Sequence, residues 1–184
     1  MQRTRLADVV CSIARTMDVI GEWWTPLVLR DLFAGITRFE DLRRDLGVAS
    51  NVLADRLATL TKHGIVERRR YCDNPPRFEY VLTAKGRDLF PAIAALMRWG
   101  DRWASADGEA PALLVHRDCG KATGAVVVCE RCGGELTAEN TEAVAGPAGR
   151  VGPGTMVIGP MLAERAVARG RRPSRLRTKR SRRT

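Results

Sequence analysis

Three observations predict a mainly helical α+β fold. Leu53, Leu57 and Leu60 recur at helical spacing. Alternating stretches 65–72 and 77–82 flank the turn Asp73-Asn74-Pro75-Pro76. Helical patterns precede and follow that hairpin.

The elements follow in order. Residues 8–20 read as an amphipathic helix. Thr25-Pro26 supplies a capping hydroxyl and then Pro at a first helical position, so a helix runs through Leu27–Phe33 to Ala34-Gly35. Thr37-Arg38-Phe39-Glu40 has capping-box spacing, and a short helix follows to Gly47. Ser50 can cap the next helix, which His63-Gly64 closes. The hairpin comes next. Thr83 opens a last helical stretch carrying Leu89, Ile93, Leu96, Trp99 and Trp103 near one face, which Pro91 should break or kink.

A short helix, the three-residue turn Gly47-Val48-Ala49, a second helix and then a hairpin is the winged helix-turn-helix arrangement. In it the second helix enters the DNA major groove and the hairpin lies by the phosphate backbone. With the Leu53/Leu57/Leu60 face turned inward, Asn51, Asp55, Ala58, Thr59 and Lys62 face out. Ser50 and Arg56 flank the N-terminal half. Asn pairs with adenine, Arg with guanine, and Thr touches a thymine methyl; Asp55 can accept from cytosine or orient Arg56. Strand alternation sends Arg69 to the face opposite Arg68 and Arg70. Arg68, Arg70, Arg77 and Arg38 are the phosphate candidates. The competing reading is a solvated charged helix and hairpin, which the order of elements disfavours.

Composition sets outer bounds. The chain has 184 residues, 20.3 kDa and 45% apolar residues, enough for one ordinary domain with extras. No run of 18 apolar residues exists, so no membrane span is expected. Met1–Arg5 leads into no apolar signal core, which predicts a cytoplasmic protein. The net charge of +10 is local. Residues 165–184 hold ten Lys/Arg and no acid, and the other 21 basic residues balance 21 acidic ones. The charge alone therefore says nothing about a DNA-binding fold.

Several stretches resemble the HxlR family of bacterial transcriptional regulators. They are Cys11-Ser12-Ile13-Ala14-Arg15-Thr16, Asp18-Val19-Ile20-Gly21-Glu22-Trp23-Trp24-Thr25, Leu29-Arg30-Asp31-Leu32 and Arg38-Phe39-Glu40-Asp41-Leu42. Leu53-Ala54-Asp55-Arg56-Leu57, Gly64-Ile65-Val66-Glu67-Arg68, Pro75-Pro76-Arg77-Phe78-Glu79-Tyr80 and Leu82-Thr83-Ala84-Lys85-Gly86 continue the series in the family's order. The resemblance covers residues 8–106. It implies a homodimer, joined through its first and last helices, whose recognition helices bind an inverted-repeat operator on double-stranded DNA. It also makes Cys11 a redox-sensing candidate, since some members sense quinones, aldehydes or oxidants at that position. The other reading of Cys11 is a small buried apolar residue. Cys72, at the wing tip, is expected to be exposed and incidental.

Beyond the domain, His116-x-x-Cys119 and Cys129-x-x-Cys132 stand nine residues apart, each pair followed by Gly. Four such ligands suit tetrahedral zinc, with no open position for catalysis, so a structural Zn2+ site is expected. Ala125–Val128 reads as a strand between the pairs. A zinc-ribbon-like module is thus predicted over 110–142, against the alternative of unligated thiols. Eight of the fifteen residues 146–160 are Gly or Pro, reading as a flexible linker, and Met161–Arg169 as a short helix. Residues 143–184 form this linker and a basic tail, predicted to be disordered. The tail either adds nonspecific DNA affinity, binds another anion, or does neither.

No G-x-S-x-G, H-E-x-x-H or P-loop occurs, and His63 reads as a helix C-cap, so no enzyme is expected. The expected protein is a homodimeric DNA-binding regulator, a repressor, open to a small-molecule or redox effector. The alternative is a zinc-containing nucleic-acid or protein adaptor without operator specificity.

Overall fold

The structure, a computed structural model, describes residues 6–105 and 109–170. The described chain forms two compact units, residues 22–135 and residues 6–21 with 136–170.

The larger unit contains α2 (Thr25–Phe33), α3 (Phe39–Leu46), α4 (Ser50–Lys62), β1 (Val66–Asp73), β2 (Pro76–Leu82), α5 (Ala84–Arg87) and α6 (Phe90–Trp103). Its core is aliphatic. Val28 and Leu29 of α2, Leu42 of α3 and Leu53, Leu57 and Leu60 of α4 are all at most 1% exposed. Ile65, Val66, Ile93 and Ala94 extend it. Gly47 ends α3 in the left-handed region (φ 64°), and its amide donates to Arg43 O at 3.0 Å. Val48 is buried in the turn, so the two helices share a core across it. β1 and β2 pair antiparallel, with Arg68 opposite Tyr80, Arg69 opposite Glu79 and an irregularity at Tyr71. Backbone pairing of Arg38 with Glu79, and Tyr80 N donating to Thr37 O at 2.7 Å, tie the hairpin to the start of α3.

Three predicted helix starts differ in detail. Thr25 is not a cap: it is the first residue of α2 and buried, and Trp24 precedes it. Thr37 caps nothing, because the hairpin claims its hydroxyl, which donates to Glu79 Oε2 at 3.2 Å. Ser50 is an exposed first-turn residue behind Ala49, without a capping hydrogen bond. Pro91 marks the expected break: α5 ends at Arg87 and α6 begins at Phe90, with no kink inside a helix. It sits in the first turn of α6, where no amide proton is needed. Thr83 does cap α5, its Oγ1 accepting from Gly86 N at 3.1 Å.

The rest of this unit is a short hairpin, β3 (Leu114–His116) with β4 (Lys121–Thr123). Ala125–Val128 is not a strand. Only Val128 pairs, in a single bridge to Glu135, and no neighbouring strand supplies further partners.

The smaller unit holds α1 (Ser12–Ile20) and α7 (Ile158–Ala168). α1 thus groups with 136–170, whereas the predicted domain of 8–106 includes it, and 109–135 group with the winged domain. The Gly/Pro-rich stretch is turned rather than a free linker. Buried Thr155 organises it: Oγ1 accepts from Gly152 N at 3.1 Å and donates to Arg150 O at 3.0 Å. Glu142 pairs with Arg165 and Arg169 of the last turns. The basic tail, 171–184, lies outside the described residues. Among the described residues, no helix is long and apolar enough to cross a membrane.

Candidate nucleic-acid interface

The burial of Leu53, Leu57 and Leu60 fixes the rotation of α4. Ser50, Asn51, Asp55, Ala58 and Lys62 consequently stand exposed, and Thr59 is half-buried. Apart from Ala58, each of these side chains carries a hydrogen-bonding group.

Arg56 departs from the predicted role. Its side chain is 18% exposed, and Nη1 pairs with Glu22 Oε2 at 3.1 Å. Its Nε is buried without a hydrogen-bond partner. The guanidinium faces the segment before α2, so in this structure Arg56 ties α4 to Glu22. Spacing alone hides this, because Glu22 lies 34 residues earlier in the chain.

The wing arginines divide by face. Arg69 meets Glu79 through two hydrogen bonds, at 2.9 and 2.7 Å, and Glu79 also accepts from Thr37. Arg69, first among these partners, holds the Glu79 carboxyl below its usual range. On the other face, the Arg68 guanidinium lies 3.5 Å from the Phe78 ring centroid. Arg70 turns back on the strand end, donating to Asp73 O at 2.8 Å and pairing with Asp73 Oδ1. Arg38 lies 5.0 Å from the Tyr71 ring, and Arg77 is exposed. Tyr71 and Phe78 were not anticipated as arginine platforms. Cross-strand register was the available signal, since Phe78 pairs with Arg70, two residues from Arg68. Stacking leaves the outer edge of a guanidinium free for phosphate.

Behind this surface, Asp31 of α2 is 2% exposed. Arg30 Nε donates to Oδ1 at 2.8 Å, and Arg30 also reaches Asp45 at 3.2 Å. Oδ2 is buried without a partner. Burial pushes this carboxyl above its ordinary range, and Arg30 only partly offsets it.

The sulfur residues lie elsewhere. Cys11 caps α1 by position and is half-buried. Cys72 is half-buried rather than exposed, because its thiol turns in toward Asn74 O, 3.7 Å away. The four predicted metal ligands come together as two pairs. Cys119 Sγ lies 3.5 Å from His116 Nδ1, and Cys129 and Cys132 share a hydrogen bond. Backbone amides, that of Arg131 foremost, hold the Cys129 thiol below its ordinary range. Among the described residues, no three His, Cys, Asp or Glu side chains converge into one group.

An aliphatic three-helix core, an exposed polar face on the second helix of the turn motif and an arginine-bearing hairpin define a winged-helix DNA-binding protein. The HxlR-like helix-turn-helix family model matches residues 19–108. The Mycobacterium tuberculosis protein Rv3095, an uncharacterized HTH-type transcriptional regulator, is 41% identical over 136 residues, covering 74% of this chain and 86% of that one. A Synechocystis HTH-type transcriptional regulator is 40% identical over 95 residues, 51% and 70% of the two chains. Among solved structures, PA1607, described as a candidate transcription factor, matches with a TM-score of 0.70 and 38% identity, over 78% of this chain and all of that one. PA1374 from Pseudomonas aeruginosa matches at 0.53 and 36%, over 75% and 94%. The chain belongs to the HxlR-like helix-turn-helix family of transcriptional regulators.

Proposed function

We propose that the protein represses transcription as a homodimer bound to an inverted-repeat operator. One observation carries this reading: α4 exposes Ser50, Asn51, Asp55 and Lys62 over a leucine face that is at most 1% exposed. Such a helix is held by its buried face and presents hydrogen-bonding groups outward. Asn51 is the principal base reader, with Asp55, Thr59 and Lys62 beside it. Arg68, Arg77 and Arg38 hold phosphates, and Arg70 assists once released from Asp73.

Two apolar faces support a dimer. Ile13 and Met17 of α1 are 71% and 39% exposed, and Leu96, Trp99 and Trp103 of α6 are 58–65% exposed. Such surface on a soluble chain marks a contact site. Two recognition helices related by a two-fold axis require half-sites about one helical turn apart.

Cys11 supplies the effector handle. It lies at the start of α1, so a bulky adduct there would disturb one of the two dimer faces. Alkylation of the Cys72→Ser protein should weaken operator binding at least tenfold. Unchanged binding of fully alkylated Cys11 would eliminate this role. Equilibrium sedimentation tests the dimer: Trp99→Glu with Trp103→Glu should give monomers and abolish tight operator binding.

A further inference from the structure

We propose that His116, Cys119, Cys129 and Cys132 form a structural zinc site that folds the extension following α6. The argument rests on two equivalent turns. In the first, Gly120 N donates to His116 O at 2.8 Å; in the second, Gly133 N donates to Cys129 O at 2.8 Å. Each turn spans one ligand pair at the same offset. Each ends in a left-handed glycine directly after the second ligand, Gly120 at φ 69° and Gly133 at φ 73°. Two turns of one geometry, thirteen residues apart, are the paired knuckles of a zinc ribbon.

The side chains agree. Two ligands of one tetrahedral zinc lie about 3.5–3.8 Å apart, given bonds of about 2.0–2.3 Å. Cys119 Sγ and His116 Nδ1 are 3.5 Å apart. The other ring nitrogen, Nε2, faces Asp118 Oδ2 at 3.6 Å, the carboxylate partner that orients a metal-bound imidazole. The extension also needs a stabiliser. Among the described residues 109–136 none is buried, and Leu113, Val115, Val126 and Val127 are 56–70% exposed. A segment without a core of its own gains much of its stability from a bound metal. Here the two pairs stand as separate half-sites, and zinc draws them together. Four protein ligands leave no open position, so the ion is structural. Arg98 of α6 donates to Ala125 O at 2.7 Å, which links the extension to that helix.

The test uses the full-length protein, purified under reducing conditions without chelator. Elemental analysis should give about one zinc per chain. Cys119→Ser and Cys129→Ser should each lower this at least threefold, and Cys72→Ser should leave it unchanged. Cobalt substituted for zinc should show the ligand-field bands of a tetrahedral thiolate site. If the variants do not fold, thiol labelling of the wild type decides: three of the five cysteines should react only after a chelator is added. Fewer than ~0.3 zinc per chain, or labelling that chelator leaves unchanged, overturns the assignment.

Discussion

Arg56 of the recognition helix reaches Glu22, Nη1 to Oε2 at 3.1 Å, and so ties α4 to the segment that opens α2. The pair is partly buried, and its loss would loosen the junction between α4 and that segment. Arg56→Ala is therefore expected to lower stability by about 1–2 kcal/mol. It should weaken binding to all sequences alike and leave the preferred site unchanged. Asn51→Ala, at an exposed position, should do the reverse: stability within about 0.5 kcal/mol and a relaxed base preference. Thermal melts with site selection on both variants separate the two. A changed consensus for Arg56→Ala would make it a base reader after all.

The wing carries a second distinction. Arg68 and Arg77 should each contribute one phosphate contact, so alanine at either should flatten the salt dependence of binding by about one unit of slope. Arg69→Ala should leave that slope alone and cost up to about 1 kcal/mol of stability, because Arg69 is engaged with Glu79. Equal loss of slope for all three arginines would contradict the division by face.

Two carboxyls give opposite pH dependences. Glu79 is held below its ordinary value of 4.5. Its stabilisation is present above that value and fades as the pH falls through the folded-state range. Asp31 is raised above 3.8, so folding takes up a proton there. Stability then falls as the pH rises through its folded-state range, and levels off beyond it. Against wild type in urea melts across pH 3–7, Asp31→Asn should gain with rising pH and Glu79→Gln should lose. Parallel trends would contradict one of the two environments.

Gly86 is a packing constraint. A Cβ there would collide with the Ile65 carbonyl oxygen where α5 meets the start of β1. Gly86→Ala should cost about 1–3 kcal/mol, more than Thr83→Ala, which loses one cap worth about 1 kcal/mol. Urea unfolding of both variants checks the order.

Much of this was legible in the sequence because the governing signals are local. Leu53, Leu57 and Leu60 repeat at 3.6 residues, and Gly47 and Gly64 punctuate the helices. The misread features depend on distant partners. Thr37 looks like a cap until Glu79, 42 residues away, takes its hydroxyl. Arg56 looks free until Glu22 is placed beside it. Val126–Val128 has strand composition, yet a strand needs a neighbour and only Val128 finds one. Pro91 breaks the pattern as expected, but a new helix begins there instead of an old one bending.

The central claim is that the exposed face of α4 reads an inverted repeat as a dimer. Selection of random duplex DNA by the full-length protein at ~150 mM salt, where nonspecific binding is weak, tests it most directly. The account predicts enrichment of a two-fold symmetric site with half-sites about one helical turn apart, its base preference relaxed in Asn51→Ala. Recovery of unenriched sequence, or of the same base preference from Asn51→Ala, would contradict it.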